Sequence, residues 1–226
     1  MTKAERIEKQ KIRFQEMTVI EGELREKGFQ YIGGVDEVGR GPLAGPVVTA
    51  CVVLPEDFDV IGIDDSKKLT EKKREYFFDI IMESAVAVGI GMETNQTIDE
   101  INILNATKSA MQKAVEDADR QIQEKLGKDK KVDFIIVDAV RIPNMDREQL
   151  PIVKGDEKSL SVACASVIAK VTRDRMMVEY DNDYPGYLFA KNKGYGTKDH
   201  YRGLDEHGVT PIHRQSFLKS WYQKRG

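Results

Sequence analysis

The 226-residue chain has two cysteines, one tryptophan and three histidines. Cys51 and Cys164 sit among apolar and small residues without metal-ligand spacing, so core packing is their expected role. No run of apolar residues approaches the length of a membrane span. The opening segment, MTKAERIEKQ, carries no apolar signal core. A soluble, cytoplasmic protein with reduced thiols is the expectation. Neither sign of charge dominates: 35 Lys and Arg face 38 Asp and Glu, for a formal net charge of −3. Globally this is not the balance of a nucleic-acid binder. The charge is uneven, however: Gly186 to Gly226 holds eight Lys or Arg, three acids and all three histidines. A basic end of this kind can meet phosphates even in an acidic chain. Internal repeats and low-complexity segments are absent.

What the chain does have is length for one buried core and a clear alternation of patterns. Residues 1–29 are charged and helix-prone, with Ile7, Phe14, Met17 and Ile20 as the few core positions. They read as a helical extension packed loosely on a body spanning 30–226. Tyr31 to Val38 and Pro46 to Leu54 read as a strand hairpin, and Thr70 as the cap of a helix through about Glu83. Ala85 to Met92 gives a third strand. Thr97 and Glu100 have capping-box spacing for a helix to about Lys125, with Leu104, Met111, Val115 and Ile122 on its stripe. Val132 to Asp138 is an apolar strand of the kind buried on both faces. Ile152-Val153 is a short further strand, and a small-residue helix runs from about Ser159 to Tyr180. This order implies a mixed α/β sheet, antiparallel on one side and parallel on the other. The first and fourth strands would lie side by side, each ending in acid.

Those acids carry the chemistry. Gly33 to Val48 reads as a strand ending on Asp36-Glu37, followed by a Gly/Pro loop with one arginine, Arg40. A strand-end acid pair beside exposed backbone amides suits a divalent cation and a phosphate at one spot. Asp138 closes the apolar strand at the edge where ligands bind in parallel α/β sheets. Asp156 stands in Lys154-Gly155-Asp156 before a helix, where complementing the helix dipole is its plainer role. No catalytic histidine, cysteine or serine motif accompanies them. Four crowded carboxylates repel one another, and hard oxygen ligands select Mg²⁺ or Mn²⁺ over zinc. Two such ions, about 4 Å apart, would balance the charge and suit phosphodiester hydrolysis.

Six motifs in order, Asp36-Glu37-Val38-Gly39-Arg40-Gly41, Asp65-Ser66-Lys67-Lys68-Leu69, Val137-Asp138-Ala139, Lys154-Gly155-Asp156, Ser166 to Asp174 and Lys193-Gly194-Tyr195-Gly196-Thr197, closely resemble the bacterial ribonuclease HII pattern over about residues 30–217. The resemblance implies an α/β, RNase H-like five-stranded mixed sheet flanked by helices, with a helical C-terminal region. It implies cleavage of RNA in RNA–DNA hybrids, and nicking 5′ to single ribonucleotides embedded in duplex DNA, giving 3′-hydroxyl and 5′-phosphate ends. Asp36, Glu37 and Asp138 match the family's metal ligands, and Asp156 its fourth active-site carboxylate. Gly39, Arg40 and Gly41 match the loop that reads the ribose 2′-OH, the group that separates RNA from DNA. Tyr195 matches the tyrosine packed on the following deoxyribose.

Ser66 and Lys67, with Lys68, are candidate phosphate contacts, though a solvated loop is an even alternative. Arg173 and Arg175 fit surface or intrahelical ion pairs, and Asp174 is the rival to Asp156. His213, beside Arg214, could touch phosphate, but each histidine is more simply structural. A ribonuclease HIII-like enzyme and a non-catalytic hybrid-binding module are the competing readings. The first is disfavoured by the absence of room for an extra N-terminal domain and by an Asp at position 156, the second by retention of every acid. A monomer is expected.

Overall fold

A computed structural model describes residues 2–225 of the chain. Thr2 caps the first helix, α1 (Lys3–Met17). Its hydroxyl accepts from the Glu5 amide while the Glu5 carboxylate accepts from the Thr2 amide. Thr18 links α1 to α2 (Val19–Glu26). Most of this extension is exposed, as a loosely packed segment would be, and it is held at a few points. Met17 is fully buried with Phe77, Ile81 and Leu160, and Leu24 is buried with Ile32, Phe134 and Val162. Single well-placed residues, rather than a continuous apolar stripe, anchor the two helices.

Strands β1 (Ile32–Val38) and β2 (Val47–Val53) pair antiparallel, and after α3 (Glu71–Ser84) the strand β3 (Ala87–Glu93) pairs antiparallel with β2. Helix α4 (Asn95–Leu126) leads to β4 (Phe134–Asp138), which lies parallel to β1 with Val35 opposite Val137. Strand β5 (Glu148–Ile152) adds in parallel to β4, giving the order β3-β2-β1-β4-β5. The long helix α5 (Leu160–Asp183) follows, then α6 (Phe189–Asn192), α7 (Lys198–His207) and α8 (Lys219–Gln223).

The sheet's two faces are read off β2. Ala50 and Val52 pack with α3 and α5 residues such as Ile81, Val167 and Ile168, whereas Cys51 and Val53 pack with Met111, Val115 and Ile122 of α4. Every residue of β2 is buried, as expected of a strand covered on both sides. Each fully buried Ile or Met contributes about 1.5–3 kcal/mol to folding. A close approach fixes where α5 starts. A Cβ on Gly34 would stand 2.2 Å from the Ser161 carbonyl carbon, so only glycine lets the first turn of α5 lie on β1. A satellite core of Leu43, Met177, Tyr187, Phe189, Leu204 and Leu218 joins the C-terminal helices to the loop after β1.

Three local expectations shift. Thr94, not Thr97, caps α4, accepting from the Thr97 amide, because the chain is already extended at Thr94. Asn102 breaks that helix at φ 66°, and its side chain accepts from the amides of Leu104 and Asn105, recapping it. Leu104, just after the break, is therefore 41 % exposed and off the buried stripe. The fifth strand also begins earlier, at Glu148; Pro151 fits it because β5 is an edge strand.

Candidate active site

Because β1 and β4 run parallel in register, both deliver their last residues to one edge of the sheet. Asp36 and Glu37 arrive there from β1 and Asp138 from β4, with ligand oxygens of all three within 4.8 Å of one another. Asp36 is buried, and its Oδ1 accepts from the Glu37 amide at 2.8 Å. Burial, and then the charges of Glu37 and Asp138, hold its carboxyl well above the usual range; a hydrogen bond from Ser166 opposes this without cancelling it. Glu37 is raised too, by burial, with Arg40 pulling it down and Asp138 pushing it up. Its Oε2 is buried with no hydrogen-bond partner. Three crowded acids with an orphan oxygen carry negative charge that Arg40 offsets only in part, and an oxygen-preferring divalent cation fits that deficit.

Asp156 stands beside this trio rather than in it. It lies in a short 3-10 turn, Gly155–Glu157, whose Gly155 amide donates to Asp138 Oδ1 at 2.7 Å. Burial first, then the charges of Asp65 and Asp138, push its carboxyl up to about 6, against the pull of Lys67. Lys67 itself is mostly exposed, with Nζ 3.8 Å from Asp156 Oδ2. Ser66 points inward: its hydroxyl is 2.9 Å from that of Ser166, and it is 4 % exposed. In this arrangement it meets Ser166, not solvent. Asp174 pairs with Lys170 at 2.7 Å within α5, as an intrahelical ion pair.

The Gly39–Pro46 loop is organised by two arginines that composition does not reveal. Arg173, expected at the surface, is fully buried and donates to the carbonyls of Ala44, Pro46 and Lys193. Arg214 is equally buried and donates to the carbonyls of Gly39, Arg40 and Gly45. Neither has a carboxylate partner among the described residues. Burial lowers them to about 10 and about 9, so both stay charged at neutral pH. With its carbonyls drawn inward, the loop leaves the amides of Arg40 and Gly41 without a protein acceptor among the described residues. Gly39 has φ 91°, and a Cβ there would meet Arg173 Nε at 2.2 Å, so this position admits only glycine. The Arg40 guanidinium is half-exposed and 3.3 Å from Glu37.

Tyr195 is 45 % exposed, and its ring edge lies 3.5 Å from where a Cβ on Gly41 would be. A histidine relay holds its backbone. Thr210 N–H donates to His213 Nδ1, which puts the His213 proton on Nε2, 2.9 Å from His200 Nε2. His200 is thereby left to donate through Nδ1 to the Tyr195 carbonyl at 3.0 Å. Burial lowers both rings, His213 to about 4, so the neutral pair persists at pH 7. His213 is 1 % exposed and cannot reach phosphate. The basic end is also less basic than its count. Arg214 is buried, Lys191 and Arg202 pair with Asp199, and Arg225 pairs with Asp205.

Three positive-φ residues flank the acids and Tyr195. Ala139 (φ 56°) follows Asp138, Lys154 (φ 60°) precedes Gly155-Asp156, and Lys193 (φ 52°) precedes Gly194-Tyr195. Each costs about 1–3 kcal/mol and persists only where its surroundings over-determine it.

Carboxylates gathered by two parallel strand ends of a β3-β2-β1-β4-β5 sheet suit a hydrolase that works through divalent metal. The sequence matches the Ribonuclease HII family over residues 33–220. The chain belongs to the ribonuclease HII family and is a metal-dependent ribonuclease H, a hydrolase. It is 50 % identical to ribonuclease HII of Clostridioides difficile over 218 residues, covering 96 % of this chain and 82 % of that one. With ribonuclease HII of Ligilactobacillus salivarius it shares 55 % over 212 residues, 94 % and 79 % of the two chains. The ribonuclease H2 of Pyrococcus horikoshii superposes with a TM-score of 0.63 at 26 % identity, over 86 % and 98 % of the chains. A Bst-RNase HIII crystallised with Mn²⁺ gives 0.63 at 17 % identity, over 89 % and 71 %, a likeness of fold. Family membership favours the first of the three readings of the sequence over the HIII-like and non-catalytic ones. No helix among the described residues is long and apolar enough to cross a membrane.

Proposed function

We propose that this enzyme cleaves the RNA strand of RNA–DNA hybrids and nicks duplex DNA on the 5′ side of single embedded ribonucleotides, leaving 3′-hydroxyl and 5′-phosphate ends. The observation that carries the second activity is the Gly39-Arg40-Gly41 loop. Its Gly39 and Arg40 carbonyls are spent on Arg214, its Arg40 and Gly41 amides meet no acceptor among the described residues, and it sits between the acid trio and the Tyr195 ring. Free amides at a glycine backbone can donate to a ribose 2′-OH and its phosphate. A flat ring one step along packs on a sugar that lacks a 2′-OH and clashes with one that has it. Together they would read the junction from ribose to deoxyribose without touching a base.

Asp36, Glu37 and Asp138, with Asp156 at the flank, would hold two Mg²⁺ or Mn²⁺ ions. When bound, these supply a nucleophilic water and charge stabilisation at the leaving 3′-oxygen. Glu37 offers its unpartnered Oε2. Gly155 orients Asp138 through its amide, and Lys67, raised by Asp65 and Asp156 against partial burial, stays cationic beside the scissile phosphate. A monomer acting in the cytoplasm completes the reading.

The test is a labelled DNA duplex with one ribonucleotide, incubated in Mg²⁺, in Mn²⁺ and in EDTA. A nick 5′ to the ribonucleotide, present with metal and lost in EDTA, is the expected result. Cleavage of a continuous hybrid without any nick at the single ribonucleotide would overturn the junction-reading part.

A further inference from the structure

Two residues of the N-terminal extension reach the arm that carries Asp156. Arg13 of α1 donates to the Glu157 carbonyl at 2.5 Å and lies 3.3 Å from Asp64 Oδ1, so one guanidinium joins the 155–157 turn to the 64–68 loop. That loop supplies Asp65 and Lys67, the groups whose charges act on Asp156. Glu21 of α2 is 8 % exposed, and its Oε1 accepts from the Ser159 hydroxyl at 2.6 Å, the Ser161 hydroxyl at 2.7 Å and the Ser161 amide at 3.0 Å. Ser159 caps α5 through the Val162 amide, and its own amide bonds back to the Gly155 carbonyl. The carboxylate therefore sits at the start of α5, where the helix dipole favours an anion. Ser159, which it holds, is three residues from Asp156 and opens the segment pressed against Gly34 of β1.

Burial of a carboxylate with its second oxygen unpartnered is costly and calls for a reason. Lys154, in the left-handed region, also needs a scaffold to hold its turn. We propose that α1 and α2 form a brace for the active site: Arg13 and Glu21 are positioning residues that set Asp156 against the acid trio. The match to the family model begins at residue 33, so Arg13 and Glu21 precede the segment it covers. The inference rests on the reading that Asp156 acts in catalysis.

The experiment uses the full chain and a continuous RNA–DNA hybrid in Mn²⁺. It compares Glu21→Ala, Glu21→Gln and Arg13→Ala with the exposed α1 control Lys9→Ala, each alone and, for the first and third, combined with Asp156→Asn. Circular dichroism establishes folding, and single-turnover rates with excess enzyme keep slow variants measurable. Glu21→Ala and Arg13→Ala are expected to lower kcat about tenfold or more with KM little changed, as supporting residues behind a metal ligand do. Glu21→Gln, which keeps an acceptor, should lose less, and Lys9→Ala nothing. In the Asp156→Asn background the same changes should cost less than about twofold, because they act through the group already removed. Equal costs in both backgrounds, or wild-type kcat in the folded single variants, overturns the brace. If Glu21→Ala does not fold, Arg13→Ala and its double variant decide by the same criterion. Wild-type rates in Asp156→Asn alone would instead overturn the catalytic reading of Asp156, and the brace with it.

Discussion

Replacing Asp156 with Asn should suppress cleavage and yet stabilise the metal-free fold. The carboxyl is pushed from its ordinary value of 3.8 up to about 6 by burial and by Asp65 and Asp138. At about 1.36 kcal/mol per unit, ionising it at pH 8 costs the folded state about 3 kcal/mol. The exposed Lys67 ammonium loses a partner in the variant, and nearby water screens the repulsion, so a net gain of about 1–2 kcal/mol is reasonable. For a chain of this size that is a rise in Tm of about 2–8 °C. The sign follows from proton binding. Between the two values the folded state holds a proton that the unfolded state has released, so stability falls as pH rises through this window. By pH 4.5 the cost shrinks to about a third of its value at pH 8, and the advantage of the Asn variant shrinks with it. Calorimetric melts in EDTA at pH 8 and pH 4.5 measure both. Millimolar Mg²⁺ should reverse the order, because the wild type gains more from binding the ion. A variant less stable than wild type at pH 8 in EDTA, or a gain of equal size at both pH values, would refute the reasoning.

Asp138→Asn should fold normally by circular dichroism while kcat drops on the order of a thousandfold or more, as when one member of a catalytic unit is lost. Undiminished cleavage would remove the trio from the chemistry. Arg214→Lys removes a planar fork that serves three carbonyls, so a loss of about 2–4 kcal/mol is expected, seen as a Tm lower by about 4–16 °C. A melt unchanged within error would mean that loop is held some other way. Tyr195→Ala should lower kcat/KM for a single embedded ribonucleotide about tenfold more than for a continuous hybrid. Equal losses on the two substrates would count against a junction-reading ring.

What could be read directly from the sequence was whatever depends on local pattern. Asp36, Glu37 and Asp138 end apolar runs, and strand ends are visible as such. The mixed sheet followed from the spacing of those runs, and β1 lies beside β4 as that spacing implies. Arg173 and Arg214 escaped because a buried guanidinium is satisfied here by carbonyls from segments about 130 and 170 residues away, and no local pattern announces that. Their charge instead suggested surface. The same holds for His200 and His213, whose bond to each other closes a path to Tyr195. Asp65 was legible as part of a charged loop but not as a neighbour of Asp156, which depends on two loops meeting. The contacts of Arg13 and Glu21 escaped notice because charged residues seldom announce themselves as anchors.

The tie between Arg214 and the Gly39 carbonyl joins positions 175 residues apart in the chain. During synthesis the loop emerges well before its fastener, 175 residues further along. At about 5–20 residues per second, roughly 10–35 s separate the two events. Over that interval a nascent chain can already carry the acids of β1 and β4 and still lack a fixed Gly39–Pro46 loop. Chains cut short before Arg214 inherit the same incompleteness permanently: their carboxylates are present, but the loop beside them is never set.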